Sequence, residues 1–596
     1  MGAYHRRAGS GCVRRRHVRP APGGSGVTVT SSLTLHHFID QAPFLNWMRR
    51  NVISAITSKK ERAFWTAALV FIAVHVLLAW LARPAGIETA HDDAQYLLLS
   101  RSLRSLGYYD VFQVGTPVHN IYPPGYPVML AFWGALTGER FDLLVLLGIG
   151  ASATALGLIF AVVKRLWSPF VALLCLAVLC VNPYMVSQAG KLMSEAPYML
   201  LSVLALWSLS WKSPSPRLLV IAAAAAIGAA LTRSIGVTLL VAIGTHWLLE
   251  RRFAALATCT VTSAGTVGLW LLWTIMAPAQ FVGRSYIADA ISRNGGDGAS
   301  SFAGVLLRRV YNNVPSYLGI GIPYHLPMPT IPGSPVDNMI GAVVTVVGLG
   351  IGLVVLFRRW RPAALYLLSY GALLALWPWK MARFVNPVLP LLVLAVLLGT
   401  EALARRVRAH WGGPAVLTLA LLLTVNGAVR TAAIIREENG CERGTVYPVG
   451  TCLRQDQVSF FSAVEYINHR VPPEAIFLSG KPATLYYYTG RRTISREAAA
   501  SQDPSSFPGF MRGFGPTYVL LGNLHPFEPV RLAGLLEANC DALELEAAFA
   551  PRTYLFRVLN DGAPSNNGAA CDAVREYHRH IFGDDQAHVS AGLSPE

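Results

Sequence analysis

RFVNPVLPLLVLAVLLGT (383–400) contains one cation, Arg383, and then no charged residue until Glu401. About 20 apolar residues at 1.5 Å rise cross a bilayer, so this window reads as a membrane-spanning helix with a basic residue at its head. Similar windows lie on both sides of it. They fall near 64–82, 141–163, 167–186, 196–211, 217–231, 235–249, 253–277, 338–357, 362–379, 384–402 and 413–435, giving about eleven spans. The stretch Tyr126–Thr137 is too short to span and reads as an interfacial or re-entrant helix.

Composition agrees with lipid as the solvent. Of 596 residues, 53% are hydrophobic and 14% charged, and mean hydropathy is +0.42. A soluble domain carries about 25% charged residues. The net charge of +17 would suit a nucleic-acid binder, but its placement argues against nucleic acid. Residues 1–60 hold ten Lys/Arg and one acid, and the remaining excess sits in short loops between apolar runs. That basic segment reads as a disordered cytoplasmic tail, as an over-long start ahead of Met48, or as an Arg-rich transit peptide.

Sidedness follows from the same cations. Lys164-Arg165, Lys212 to Arg217, Arg251-Arg252, Arg358-Arg359-Arg361 and Arg405-Arg406-Arg408 supply twelve basic residues to one set of loops. The three short loops of the alternate set hold four: Lys191, Arg233, Lys380 and Arg383. Positive loops stay inside. The expected protein is therefore a multi-pass plasma-membrane protein with a cytoplasmic N-terminus and an extracytoplasmic C-terminus. It divides into the tail 1–60, a transmembrane region 61–435 whose first outer loop is 83–140, and a soluble region 436–596. A further outer loop spans 278–337.

In the last region, Val458–Val471 and Arg531–Ala538 read as helices, and Glu474–Gly480, Thr517–Gly522 and Thr553–Leu559 as strands. The fold class is thus mainly α, a polytopic helical bundle with a small C-terminal α/β domain. Four of eight cysteines, Cys441, Cys452, Cys540 and Cys571, follow the last span. They are either two disulfides of an oxidising compartment, with Cys441–Cys452 closing a small loop, or four unpaired thiols.

Several loop residues admit two readings. Asp92 and Asp93, in His91-Asp92-Asp93-Ala94-Gln95-Tyr96, either cap the Leu-rich helix that follows or serve chemistry near the hydrocarbon boundary. In Tyr122-Pro123-Pro124-Gly125-Tyr126-Pro127 the prolines set a turn ahead of a helix, while the aromatics can line a sugar or lipid site. Glu195, in Lys191-Leu192-Met193-Ser194-Glu195, is a helix-start acid or a site acid. Arg233 is an interfacial cation or an anion ligand. The aromatic belt explains Trp377 and Trp379 but not Lys380 and Arg383. No Walker loop, dinucleotide fingerprint, zinc-ligand spacing or nucleophile elbow is present.

In order, Asp92-Asp93-Ala94-Gln95-Tyr96, the Tyr122–Pro127 stretch, Asn182-Pro183, Ser194-Glu195-Ala196-Pro197, Thr232-Arg233 and Arg383 to Pro390 resemble the C-type (GT-C fold) membrane glycosyltransferases. The group is the protein O-mannosyltransferase and aminoarabinose transferase superfamily, which includes lipopolysaccharide-core glycosyltransferases. The resemblance covers roughly 64–435. It implies a polyprenyl-phosphate sugar donor and transfer on the outer face to a glycan, lipid or protein hydroxyl. It also implies Asp92 as the base and Asp93 and Glu195 as further site acids that can hold a divalent metal (Mg or Mn). Tyr96, Tyr122, Lys191, Arg233, Lys380 and Arg383 would form the substrate-binding set. Asp93 stands where the family often has Glu, which leaves metal binding, acceptor orientation and support of Asp92 all open. The rival reading is a transporter or flippase of lipid-linked saccharides. Such proteins keep ionisable groups near the midplane and show repeated halves, whereas these spans are nearly free of charge.

Overall fold

Ser168, Asn182 and Ser215 each precede a proline, and each caps a helix with its side chain. A proline at the first helical position lacks an N–H that would be unpaired anyway, and the polar cap satisfies the next one. These signals divide the apolar chain into the helices of a computed structural model. It describes residues 59–277, 302–328, 335–559 and 568–582, apart from 90–91, 446, 496–497, 500–501, 523 and 525–528. The tail 1–58 and half of the outer loop 278–337 lie outside the described residues.

The helices in chain order are α1 (Lys59–Leu81), α2 (Asp93–Arg104), α3 (Gly125–Thr137), α4 (Leu146–Leu166), α5 (Pro169–Cys180), α6 (Pro183–Ala189) and α7 (Glu195–Ser208). Next come α8 (Pro216–Thr232), α9 (Val237–Leu249), α10 (Phe253–Ser263), α11 (Phe302–Ser316), α12 (Pro335–Arg359), α13 (Arg361–Leu376), α14 (Leu389–Val407) and α15 (Gly412–Glu438). A π-helical turn, Ala264–Gly268, carries α10 on to Met276.

Each of the apolar windows read from the sequence contains a helix, and the chain is a multi-pass membrane protein. Among the described residues, six helical segments are long and apolar enough to cross a bilayer alone. The window 167–186 is instead a broken pair, α5 and α6, bent by 63°. Asn182 builds the break: its Oδ1 accepts from Tyr184 N and Met185 N at 3.0 and 3.2 Å, and its Nδ2 donates to His325 O at 2.8 Å. Pro183 removes an N–H that would otherwise continue α5. Tyr126–Thr137 lies on α3, a helix of 13 residues.

After α15, the ribbon β1 (Cys441–Glu442) and β2 (Val449–Gly450) is closed by the Cys441–Cys452 disulfide. Helices α16 (Gln455–Arg470), α17 (Pro482–Thr489), α18 (Phe507–Arg512), α19 (Pro529–Ala538) and α20 (Gly568–Phe582) accompany a four-stranded sheet. Its strands are β3 (Ile476–Ser479), β4 (Thr517–Leu521), β5 (Leu543–Phe549) and β6 (Thr553–Val558), in the order β3-β4-β6-β5. The β3–β4 pair is parallel, with Ile476 opposite Thr517, and the other pairs are antiparallel. A second disulfide, Cys540–Cys571, ties the end of α19 to α20.

Residues 63–596 form one compact unit. A single apolar core runs from Ile87, Tyr96 and Phe112 of the first long loop to Phe461, Phe477 and Tyr488 of the C-terminal region. Polar ties reinforce it. Tyr488 OH donates to Ile87 O at 2.7 Å, and Gln457 Nε2 donates to Thr89 Oγ1 at 3.0 Å. Thr493 N donates to Phe112 O at 2.8 Å, and Val114 N to Thr493 O at 2.9 Å.

Within the helical region, α12 lies against α14 with backbone touching backbone. A Cβ built on Gly352 would collide with Ala395 O, and one on Gly399 with Gly348 O. Small residues four apart permit this approach, which gains dispersion contacts lipid cannot replace. Gly352→Val and Gly399→Val are therefore expected to lower the thermal midpoint of the detergent-solubilised protein by several degrees. Gly350→Val, where a Cβ meets nothing within 4 Å, should leave it nearly unchanged. Fluorescence-detected size exclusion after heating reads the difference.

Candidate active site

The first long loop and its partners converge at one end of the helices. Asp92 occupies the N-cap position of α2, yet its side chain makes no capping bond. Its carboxylate turns instead to Arg383, with Oδ2 3.1 Å from Nη2, across 291 residues of chain. The Tyr122 hydroxyl also donates to Asp92. Burial pushes the Asp92 carboxyl up, but Arg383 and then Lys481 more than offset it and hold the group below the usual carboxylate range. Asp92 is therefore ionised at neutral pH and retains 20% side-chain exposure, which leaves it reachable by a ligand.

Asp93, the next residue, lies in opposite surroundings. It is fully buried, and both carboxylate oxygens lack a hydrogen-bond partner. Burial first, and the neighbouring Glu88 carboxylate second, push it up to about 8. The nearby cation Lys191 is held by Glu88, with Nζ 3.1 Å from Oε2. Burial works against the Lys191 charge, but Glu88, Glu438 and Asp93 together raise its pKa above the ordinary value. Lys191 thus sits near the Asp93 carboxylate, inside an acidic nest of Glu88, Asp93 and Glu438.

Glu195 opens α7 and is 2% exposed. Arg233 Nη1 lies 2.6 Å from Glu195 Oε1 and donates to Ser194 Oγ at 2.9 Å. Ser194 Oγ meets Tyr96 OH at 3.1 Å, so the second ion pair is coupled to α2. Tyr96 in turn packs edge-on against Tyr126, with centroids 4.9 Å apart, and against Tyr122 at the same distance. The Pro-Pro-Gly turn delivers these rings for a steric reason. A Cβ on Gly125 would stand 2.6 Å from Leu231 O, so only glycine lets this turn rest on the chain just ahead of Arg233.

Lys380 is exposed and makes no ion pair with a described acid. The structure therefore gathers Asp92, Asp93, Tyr96, Tyr122, Glu195, Arg233 and Arg383, sets Lys191 behind them, and leaves Lys380 aside. His91 lies outside the described residues.

Further residues escape sequence reasoning. His119 and Asp110 are buried and joined Nδ1 to Oδ1 at 2.8 Å, while His119 Nε2 accepts the Tyr122 amide at 2.7 Å. This leaves the ring proton on Nδ1 and fixes the Tyr122 backbone. The His119 ring also stacks on the Tyr122 ring at 5.4 Å, and Tyr108 OH donates to Tyr122 O at 2.7 Å. The other addition is Lys481, whose charge reaches Asp92 from the C-terminal region. Neither belongs to the loop motifs read above.

Metal-ligand geometry was tested against the donors present. Among the described residues, the cluster of three or more potential ligands is Cys540, Asp541 and Cys571, and both of its sulfurs are in a disulfide. At Asp93 the two orphaned oxygens suit a cation, whereas Glu195 is engaged by Arg233.

The segment that carries Arg383 also walls an apolar cavity of about 350 Å³. Its wall includes Tyr317, Leu349, Tyr370, Val385, Val388 and Leu392. Val385 and Val388 belong to the same 3₁₀ segment, Ala382–Val388, that carries Arg383. Tyr370 OH donates to Phe384 O at 2.7 Å and secures that segment to α13.

No family model matches the chain, and no curated protein matches it. Solved structures do. ArnT from Cupriavidus metallidurans, bound to undecaprenyl phosphate, matches with a TM-score of 0.50 and 15% identity over 83% of this chain and 99% of that one. The oligosaccharyltransferase AglB from Archaeoglobus fulgidus, in complex with an inhibitory peptide and a dolichol-phosphate, matches with a TM-score of 0.49 and 11% identity over 88% of this chain and 78% of that one. Arabinofuranosyltransferase AftD from Mycobacteria gives 0.40 and 15% over 84% and 42%. The likeness to ArnT establishes the C-type glycosyltransferase fold that the loop motifs led us to expect.

The buried Asp93 has a consequence for stability. Its folded pKa lies above the unfolded value of 3.8, so the folded state binds one more proton between pH 4 and 8, and stability falls as pH rises through that window. Asp93→Asn mimics the protonated acid. Its thermal midpoint is expected to exceed that of the wild type by a margin that grows from pH 5 to pH 8 and then levels off. A margin that is independent of pH would refute the buried, proton-bearing state.

Proposed function

We propose that the chain is a membrane glycosyltransferase that moves a sugar from a polyprenyl-phosphate donor to an acceptor hydroxyl on the outer face of the membrane. The observation that carries this reading is the Asp92–Arg383 ion pair, whose arginine lies on the same short segment, Ala382–Val388, that walls the apolar cavity through Val385 and Val388. An ionised carboxylate, a guanidinium and an apolar slot are the three things a phosphate-linked isoprenoid substrate requires together. The isoprenoid occupies the cavity between α11, α12, α13 and α14, and its phosphate reaches Arg383, whose planar fork suits phosphate oxygens.

In the ligand-free site Arg383 is held by Asp92. An arriving phosphate competes for the guanidinium, and the exchange frees Asp92 as it positions the donor. Losing this partner also raises the Asp92 proton affinity toward the range useful for a base. The acceptor O–H then gives its proton to Asp92, its oxygen bonds to the anomeric carbon, and the bond from that carbon to the phosphate oxygen breaks. The electron pair leaves with the polyprenyl phosphate, whose negative charge Arg383 balances. Arg233 pairs with Glu195 at the back of the site, and Tyr96 and Tyr122 offer ring faces to sugar. A divalent cation, of the Mg or Mn type, would be held by Asp93 on loss of its proton and would supply positive charge to the leaving phosphate, while Glu195 stays paired with Arg233.

We read eleven spans, counting the broken α5–α6 pair and the shorter α7, α8, α9 and α13 with the long helices. Twelve basic residues in one set of short loops against four in the short loops of the other support a cytoplasmic N-terminus, with the site and the C-terminal region outside. The two disulfides support that side as an oxidising one.

Asp92→Asn is expected to reduce transfer at least ~100-fold, the usual span of a lost general base, with insertion and thermal midpoint preserved. Arg383→Ala should raise the donor KM about tenfold, as for a lost charge-assisted bond. Glycolipid and glycoprotein mass spectrometry of a deletion strain reports the missing sugar. Full turnover by Asp92→Asn would remove the base assignment.

A further inference from the structure

Lys481 stands in the turn between β3 and α17, at the N-cap position of α17. The turn is rigid. Lys481 N donates to Ser479 Oγ at 3.3 Å, Leu485 N donates to Lys481 O at 2.9 Å, and Pro482 fixes the first helical dihedral. Helix α17 packs against α2, the helix whose own N-cap position is Asp92. Tyr488, one residue from the end of α17, ties it to Ile87 O at 2.7 Å, and the Arg101 guanidinium of α2 lies 5.6 Å over the Tyr487 ring. The two helices, one from the first loop and one from the C-terminal region, are thus packed together, and Lys481 at the start of α17 is near enough to Asp92 for its charge to act on that carboxylate. The lysine is half-buried, so its ammonium is neither sealed in the core nor free in solvent.

We propose that Lys481 is a ligand-binding residue of the site, which grips a phosphate jointly with Arg383, so that the C-terminal region completes the active centre. This rests on the function proposed above. The chemistry is that of a phosphate-bearing ligand approaching a carboxylate. Such a ligand takes Arg383 from Asp92, and two like-charged groups, phosphate and carboxylate, then face each other. A second cation between them removes that repulsion. Arg383 comes from the helical region and Lys481 from the C-terminal region, so a phosphate held by both joins the two parts of the chain. The ammonium, a compact donor on a long flexible stem, can follow the phosphate as the sugar bond breaks.

The test uses the full-length protein in detergent, titrated with undecaprenyl phosphate and read by tryptophan fluorescence. Lys481→Ala should raise the Kd about tenfold, and Lys481→Arg should restore it to within about threefold. Arg383→Ala should also raise it. Inorganic phosphate, added as competitor, separates a headgroup site from a free-phosphate site. Displacement of the lipid by millimolar phosphate in the wild type, weakened in Lys481→Ala, supports direct contact with the phosphate group. Unchanged thermal midpoints show that the variants fold, and Lys481→Gln replaces Lys481→Ala if the latter does not. A wild-type Kd in Lys481→Ala, with a raised Kd in Arg383→Ala, overturns the role of Lys481 and leaves the proposed function standing. Unchanged Kd in both variants overturns the two together.

Discussion

An ionised carboxylate beside a membrane is costly to keep, and the site is organised around keeping one. Several kcal/mol attend the removal of a charge from water. Asp92 avoids most of that cost through the Arg383 guanidinium and the Tyr122 hydroxyl. Arg383 is in turn placed by the short helix Ala382–Val388, which Tyr370 secures to α13. Tyr122 is placed by its ties to His119 and Tyr108. The adjacent Asp93 has no such partners and is kept neutral instead. Two consecutive aspartates therefore carry different charge at the same pH because their environments differ, which is how one site obtains both an ionised and a protonated acid.

Glu195 and Arg233 repeat the arrangement one layer further in, with Ser194 joining them to Tyr96. The layers are coupled by hydroxyls rather than by more charge. A hydroxyl can donate or accept, so it adapts as ion pairs exchange. A site that must release a guanidinium to a substrate benefits from neighbours able to change role without leaving a buried group unpaired.

Much of this was legible in the sequence. Apolar length located the helices, and the Ser-Pro and Asn-Pro steps marked several of their starts. The residues that carry the family likeness, Asp92, Glu195, Arg233 and Arg383, do come together. Two features stayed ambiguous for a physical reason. An Asp before a Leu-rich helix is equally a cap or a ligand by composition, and only the direction of the Asp92 side chain separates them. Short helices such as α7 and the broken α5–α6 pair cannot be told from full spans by hydropathy, because their length is made up by tilt and by packing. The contributions of His119, Asp110 and Lys481 were hidden for another reason. Nothing periodic marks them: His119 and Asp110 pair within an irregular loop, and Lys481 acts on Asp92 from a segment hundreds of residues away. Strand β5 was also missed, its Leu543-Glu544-Leu545-Glu546 alternation being the pattern of a sheet edge with one wet face.

The ties between the first long loop and the C-terminal region bear on when this protein becomes complete. Residues 87–114 are fastened by Gln457, Tyr488 and Thr493, which leave the ribosome some four hundred residues after the loop they hold. All the helices of the bundle can be inserted before those fasteners exist. A nascent chain that ends at α15 has its lipid-facing surface finished while its first loop still waits for its partners. Biosynthesis thereby separates insertion from competence. The surroundings of the Asp92 carboxylate are completed last, when the chain that could be pulled or misfolded around it has already been made.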